Sequence, residues 1–406
     1  MKHKIAALMI GAAIVFGTAT GAFAADKVVK VGVLSDMSGL YSDLGGAGSV
    51  LAAQMAIEDS GLVAKGWKID IVSGDHLNKP DVGSNIVRQW FDVDKVDVVL
   101  DVPGSGVALA VSNIIREKNG VFINSGAGSS DLTNAQCSPN TIHWTYDTYN
   151  LAHGTGGALV KQGGDTWFFL TADYAFGAAL ERDTTAVVTS AGGKVLGSVK
   201  HPLSTSDFSS FLLQAQASKA KVIGLANAGG DTSNAIKQAA EFGITSGGQK
   251  LAAMLIFITD IHSLGLNTAQ GLNFTETFYW DLNDGTRAFS KRFSERSKNR
   301  AVPTMVHAGV YSGLTHYLKV LAAADGNSHD GAKIVEAMKA LPTDDPLFGK
   351  GTIQPNGRKI HPAYLFEVKK PSESKGPWDY YKLVSTIPAD QAFTPLEKST
   401  CALLKK

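Results

Sequence analysis

The chain has 406 residues, 44% of them apolar and 18% charged, the composition of a globular protein that can bury large cores, and at this length two domains rather than one. Lys and Arg number 38 against 37 Asp and Glu, so no basic surplus is available for a nucleic-acid footprint.

The first 24 residues read as a secretory signal peptide. Lys2, His3 and Lys4 form a basic start, residues 5–16 an apolar run, and Ala22-Phe23-Ala24 the small-residue cleavage site. The run is too short to span a membrane, and no later segment offers about 18 consecutive apolar residues. The expectation is an exported, soluble protein cut after Ala24 and located in the periplasm, with a net charge of −1 once Lys2 and Lys4 are gone. Export places Cys137 and Cys401 where an even pair can close a disulfide that pins the C-terminal tail, two free buried thiols being the alternative. A two-cysteine metal site has no supporting histidine spacing, and no cofactor is expected.

From Lys27 strands and helices alternate. Residues 28–34, 67–72, 96–102 and 121–124 read as strands, separated by helices over 44–59, 82–91 and 107–117. Leu44, Ala47, Leu51 and Met55 fall on one face of the first helix. The strands are almost uniformly apolar, as in Val96-Asp97-Val98-Val99-Leu100, the pattern of a parallel sheet covered on both sides. After an irregular stretch over 143–149, where Trp144, Tyr146 and Tyr149 either line a cleft or stiffen a hinge, the alternation resumes. Strands are expected over 167–170, 194–199, 222–226 and 251–258, and helices over 176–190, 207–218 and 232–242. Phe208, Phe211, Leu212 and Ala215 share a face of the second of these helices, with Ser206 placed to cap it. From about Thr277 three helices follow without strands between them, around Phe289 and Phe293, over 304–324 and over 331–341. Short strands over 349–353, 363–368 and 380–385, with a Pro355-Asn356-Gly357 turn, precede a loop-like tail after Pro388.

Two tandem βαβ blocks with elements left over at the end predict an α/β fold of two doubly wound parallel-sheet domains joined by a three-crossing hinge. The lobes are expected over 27–146 with 278–355 and over 147–277 with 356–388, leaving 389–406 as a tail. Ligands of open α/β sheets sit outside the carboxyl ends of the strands, so the loops there form the candidate site.

In the first block these loops are Ser35 to Asp43, with Tyr41; Pro103-Gly104-Ser105-Gly106; and Ser125-Gly126-Ala127-Gly128-Ser129-Ser130. The two small-residue loops run into helix N-termini, whose unpaired N–H groups and hydroxyls suit a carboxylate, although tight turns use small residues for backbone reasons alone. In the second block Tyr174 and Phe176 are candidates to stack on an apolar ligand, and Asp231 and Asp260 to accept hydrogen bonds from its polar end. Asp231 is equally well placed as an ordinary helix N-cap. Enzyme signatures are missing: there is no G-x-S-x-G elbow, Walker A sequence or H-E-x-x-H, and Gly126-Ala127-Gly128-Ser129-Ser130-Asp131 stops one glycine short of the dinucleotide fingerprint.

Residues 31–60 with Ser38-Gly39, the segment ending Asp131-Leu132-Thr133, the Asp173-Tyr174-Ala175-Phe176-Gly177 loop and the helix bearing Tyr311 resemble, in order and spacing, the leucine/isoleucine/valine-binding protein family. These are type I periplasmic solute-binding proteins of ABC importers. The resemblance implies a fold of two hinged lobes, a carboxylate held by loops matching Ser105 and residues 127–129, an aromatic wall at Phe176, a membrane permease as partner, and a monomer. Gly128 stands where amino-acid binders place a threonine, only Asp260 could meet an ammonium group, and the first-loop aromatic falls nearer Leu44, with Tyr41 as substitute. The sequence is similar to the branch that binds aromatic carboxylates such as benzoate derivatives. Branched-chain amino acids or short amides are the second expectation, and presentation of a ligand to a sensor a third. Ser105→Ala or Ser129→Ala is expected to weaken binding.

Overall fold

The computed structural model describes residues 27–324 and 330–404; the expected leader lies outside them. The first unit is a parallel sheet of β1 (Val28–Ser35), β2 (Lys68–Asp75), β3 (Val98–Asp101), β4 (Val121–Asn124) and β5 (Thr141–His143), in the order β2-β1-β3-β4-β5. Strand residues alternate between two apolar layers: Val98 and Leu100 face one core, Val99 the other, and all three are buried. The second layer is made with α2 (Pro80–Gln89) and α3 (Ser105–Glu117), the first with α1 (Gly46–Ser60) and with a helix from much later in the chain, described below.

The second unit begins with short helices α4 (Thr148–Leu151) and α5 (Gly157–Lys161), then builds a parallel sheet of β6 (Thr166–Ala172), β7 (Lys194–His201), β8 (Val222–Ala226) and β9 (Lys250–Ala253), in the order β7-β6-β8-β9. Helices α6 (Ala175–Ser190), α7 (Ser209–Ala217) and α8 (Gly230–Glu241) connect these strands, and α9 (Ile258–Leu264) and α10 (Leu266–Ala269) follow. Next comes β10 (Asn273–Glu276), after which the chain returns to the first sheet as α11 (Asp284–Arg296), α12 (Met305–Ala323) and α13 (Gly331–Ala340). Buried almost throughout, α12 completes the core of the first unit against α1. Strands β11 (Thr343–Asp345), β12 (Gly349–Ile353) and β13 (Lys359–Ile360) form a small antiparallel sheet, with β12 and β13 joined around the expected turn through a Gly357 N–H to Gln354 carbonyl bond of 2.8 Å. Finally β14 (Ala363–Val368) pairs with β10 on one side and with β15 (Tyr381–Ile387) on the other, and the three join the second core through Phe274, Phe366 and Tyr381.

Four details depart from the sequence-based expectation. The run over 251–258 pairs only as far as Ala253, because β8 offers its last register partner there; Met254 to Phe257 continue as buried, unpaired chain. Ala47 of α1 is exposed and Leu51 only part-buried, whereas Ser49, Ala52, Ala53 and Ala56 face inward. Helix α12 packs so closely there that a β-carbon on Gly48 would stand 2.3 Å from the His307 ring. Helix α7 starts at Ser209 without a Ser206 cap, since the Asp207 carboxylate takes the Ser209 N–H at 2.9 Å. Strands β5 and β10, three and four residues long and partly polar, carry no alternation that sequence alone would reveal.

The polypeptide passes between the units after β5, after β10 and before β14. The first and third crossings are stapled by Arg358, which is 1% exposed: its guanidinium donates to the Thr145 carbonyl, lies 3.4 Å from the Asp147 carboxylate and stands 4.1 Å over the Phe393 ring. After α14 (Ala389–Ala392) the tail returns to the first unit, where Cys401 is bonded to Cys137 across 264 residues. Among the described residues no helix is long and apolar enough to cross a membrane.

Candidate ligand-binding site

At the carboxyl ends of both parallel sheets the facing loops close around a narrow cavity. It is a thin slot rather than an open chamber, so entry of a solute requires the two units to part.

The first unit contributes the polar end. Gly104, with φ of 101°, turns the chain after β3 into α3, and Pro103, Gly104 and Ser105 line the cavity. The backbone N–H groups of residues 105–107 at the start of α3 have no acceptor among the described residues, and neither has that of Gly128. The loop after β4 is rigid: Asn124 bonds both the Ala127 N–H at 3.0 Å and its carbonyl at 2.7 Å, while the Gly128 carbonyl takes the Thr148 N–H at 2.7 Å. Gly128 is compulsory for its surroundings, because a β-carbon there would lie 2.6 Å from the Tyr146 ring and 2.9 Å from that of Phe176.

The second unit contributes the apolar cover, through Tyr174, Phe176, Ala228 and Leu255. Leu255 sits in the buried chain that outlasts β9. From the first unit Tyr41 reaches across, its hydroxyl 2.6 Å from that of Tyr174, which closes the slot. The Tyr41 loop is shaped by Asp36, whose carboxylate accepts the N–H groups of Gly39 at 2.7 Å and Tyr41 at 2.9 Å. Burial pushes the Tyr41, Tyr146 and Tyr174 hydroxyls above the ordinary phenol range, so they remain neutral donors. Tyr146 donates to the Gly126 carbonyl at 2.7 Å.

Of the residues expected from sequence, Tyr41, Ser105, Gly128, Tyr174 and Phe176 face this cavity, while Gly106 and Ala127 lie one position behind its wall. The others are elsewhere. Ser129 uses its hydroxyl to accept the Asp131 N–H at 3.3 Å, and its own N–H goes to Ser105 Oγ at 3.0 Å. Tyr149 lies on an outer face, stacked at 3.7 Å on His153. Asp231 occupies the first turn of α8 rather than its cap position, and pins a neighbouring loop by accepting the N–H groups of Ser204 at 3.1 Å and Thr205 at 2.9 Å. Asp260 accepts the Phe257 N–H at 2.9 Å and the Ser233 hydroxyl at 3.3 Å. Burial pushes both carboxyls up to about 6, but no Asp, Glu, Lys, Arg or His is among the residues that line the cavity. Sequence reasoning placed Pro103, Gly104 and Gly126 in the candidate loops, Tyr146 at the first crossing and Leu44 beside the first loop without singling them out as wall residues, whereas Leu255 looked like ordinary strand.

The description "periplasmic binding protein" fits residues 28–376, most of the chain. The chain belongs to the periplasmic binding protein family. Among solved structures, this binding protein is 51% identical to a periplasmic binding protein of Burkholderia mallei, with a TM-score of 0.88 over 93% of this chain and 100% of that one. It is 40% identical to a branched chain amino acid ABC transporter periplasmic ligand-binding protein of Burkholderia xenovorans, with a TM-score of 0.80 over 92% and 99% of the two chains. It is also 27% identical to the Leu/Ile/Val-binding protein homolog 6 of Brucella abortus, over 88% of this chain and 91% of that protein.

Proposed function

We propose that this binding protein captures a small organic carboxylate, an aromatic acid such as a benzoate derivative, between its two lobes, and delivers it to the membrane permease of an ABC importer in the periplasm. The observation that carries the reading is the asymmetry of the cavity: uncommitted N–H groups at one end, aromatic rings around it, and no acidic side chain to meet an ammonium group. The N-terminus of α3, a helix of 13 residues, favours negative charge at that end, and tyrosine and phenylalanine faces suit a planar ring.

The work is physical rather than chemical. A solute settles on the first lobe, hinge rotation brings the second over it, and loss of water strengthens the few polar contacts. The ligand shifts the open-closed balance only by its preference for the closed form. The lobes are assigned as residues 27–146 with 278–360 and 147–277 with 363–388, the third crossing falling before β14 rather than after residue 355 because β13 pairs with β12 and Arg358 bridges to His143; the protein acts as a monomer after removal of the leader. Branched-chain amino acids are the second reading, favoured by Leu44 and Leu255 in the wall and by what the Burkholderia xenovorans relative is described as serving. Calorimetry against benzoate, hydroxybenzoates, cinnamates, leucine and valine separates the two; heat from the amino acids alone rejects the aromatic acid.

A further inference from the structure

At the end of β3 the backbone turns through two residues with left-handed φ, Asp101 at 78° and Val102 at 59°. That conformation is costly for any residue with a β-carbon, and most of all for branched valine. Asp101 is fully buried behind the cavity wall. Its Oδ2 accepts the Ser35 hydroxyl at 2.7 Å, and the same Ser35 oxygen accepts the Gly46 N–H at 2.8 Å. Among the described residues its Oδ1 has no hydrogen-bond partner, and it lies 2.6 Å from where a β-carbon on Gly126 would stand. The Asp101 carbonyl accepts the N–H groups of Ser125 at 3.3 Å and Gly126 at 3.2 Å. The cavity-lining loops that carry Leu44, Pro103 to Ser105 and Gly126 are thus all anchored at this one residue.

Among the described residues no cation faces the carboxyl. From α1 it meets the Ser49 hydroxyl and from the first crossing the Tyr146 phenol. His307 of α12, bonded to the Gly45 carbonyl at 2.9 Å, and His76 after β2 are both held down to about 4 by burial and are therefore neutral. Burial pushes Asp101 up to about 7, and no opposing charge offsets it.

We propose that Asp101 is a positioning residue whose neutral, protonated form the cavity requires when it holds an anion, so that capture of a carboxylate takes up a proton from solvent. The inference rests on the carboxylate reading of the site. Its sign follows from linkage. Below about pH 7 the empty site already carries the proton; above it the empty site loses that proton, whereas a nearby bound anion keeps Asp101 protonated to higher pH. Affinity for an anion therefore falls as pH rises through 7.

The test is calorimetry with benzoate, ionised throughout, at pH 6, 7 and 8 in two buffers of different ionisation enthalpy. Binding is expected to weaken about tenfold from pH 6 to pH 8, with proton uptake at pH 7 and above, and Asp101→Asn is expected to bind without pH dependence or uptake. A flat wild-type profile without uptake overturns the proposal while leaving the carboxylate reading standing. A slope that survives in Asp101→Asn assigns the proton to another group, such as Asp231 or Asp260, and overturns it too. If that variant does not fold, Asp231→Asn and Asp260→Asn take its place: a wild-type slope and uptake that persist in both support Asp101, their loss in either overturns the proposal, and an absence of benzoate heat at every pH removes the reading of the site together with this inference.

Discussion

The strand tips of the two lobes are built for different tasks. In the first lobe they are glycine- and serine-rich, locked by Asn124, Asp36 and Asp101, and they expose backbone N–H groups. In the second they present Tyr174, Phe176, Ala228 and Leu255, apart from the tyrosine hydroxyl wholly apolar. Asp231 and Asp260 of the second lobe are spent on backbone, Asp231 on the neighbouring Ser204–Thr205 loop and Asp260 on its own Phe257 N–H. On the proposed reading, charge is recognised before closure, on a preorganised surface, while closure adds shape and dryness rather than new polar groups.

The largest expected effect concerns covalent support, which also differs between the lobes, because the tail is fastened only to the first. Replacing both Cys137 and Cys401 with serine should cost about 2–4 kcal/mol of stability, since the bond closes a very long loop; a denaturant midpoint equal to wild type would show that the tail packing at Phe393 suffices alone. Next, Gly128→Ala drives a methyl group between the Tyr146 and Phe176 rings. Overpacking of about 1–3 kcal/mol corresponds to about a five- to 150-fold loss of affinity, and undiminished binding would mean that the two lobes do not meet there in the liganded state.

Smaller effects probe closure and the cradle. Tyr41→Phe leaves the Tyr174 hydroxyl unpaired and should weaken binding by about fivefold, on the order of 1 kcal/mol. The double Tyr41→Phe, Tyr174→Phe variant should regain part of that loss, and scattering profiles should show more open molecules in the single variant. Smallest is Ser129→Ala. Its hydroxyl caps the turn at Ser130–Thr133, so the change should lower stability by about 0.5–1 kcal/mol and leave affinity within about twofold; a larger loss of affinity would return that hydroxyl to the ligand, as sequence alone suggested.

Much of the fold was legible in the chain, for a physical reason. Buried parallel strands such as Val121 to Asn124 must be apolar on both faces, and the helices between them must show one apolar stripe, so alternation of the two patterns fixes the class. The loops that close the site were legible too, because tight strand-to-helix turns demand small residues. What could not be read was direction and company. Asp231 serves the Ser204–Thr205 loop 26 or 27 residues away, which nothing in its neighbourhood along the chain reports, whereas Asp260 and Ser129 accept N–H groups only three and two residues away, so their capping roles had a local signal that competed with the ligand reading. Leu255 became a wall because β8 runs out of partners at Leu225, a fact of register between strands far apart in sequence. The Tyr41–Tyr174 contact, 133 residues apart, exists only because two sheets face each other. Local periodicity is written in the sequence because burial acts residue by residue; the identity of a binding surface is decided by which distant segments share it.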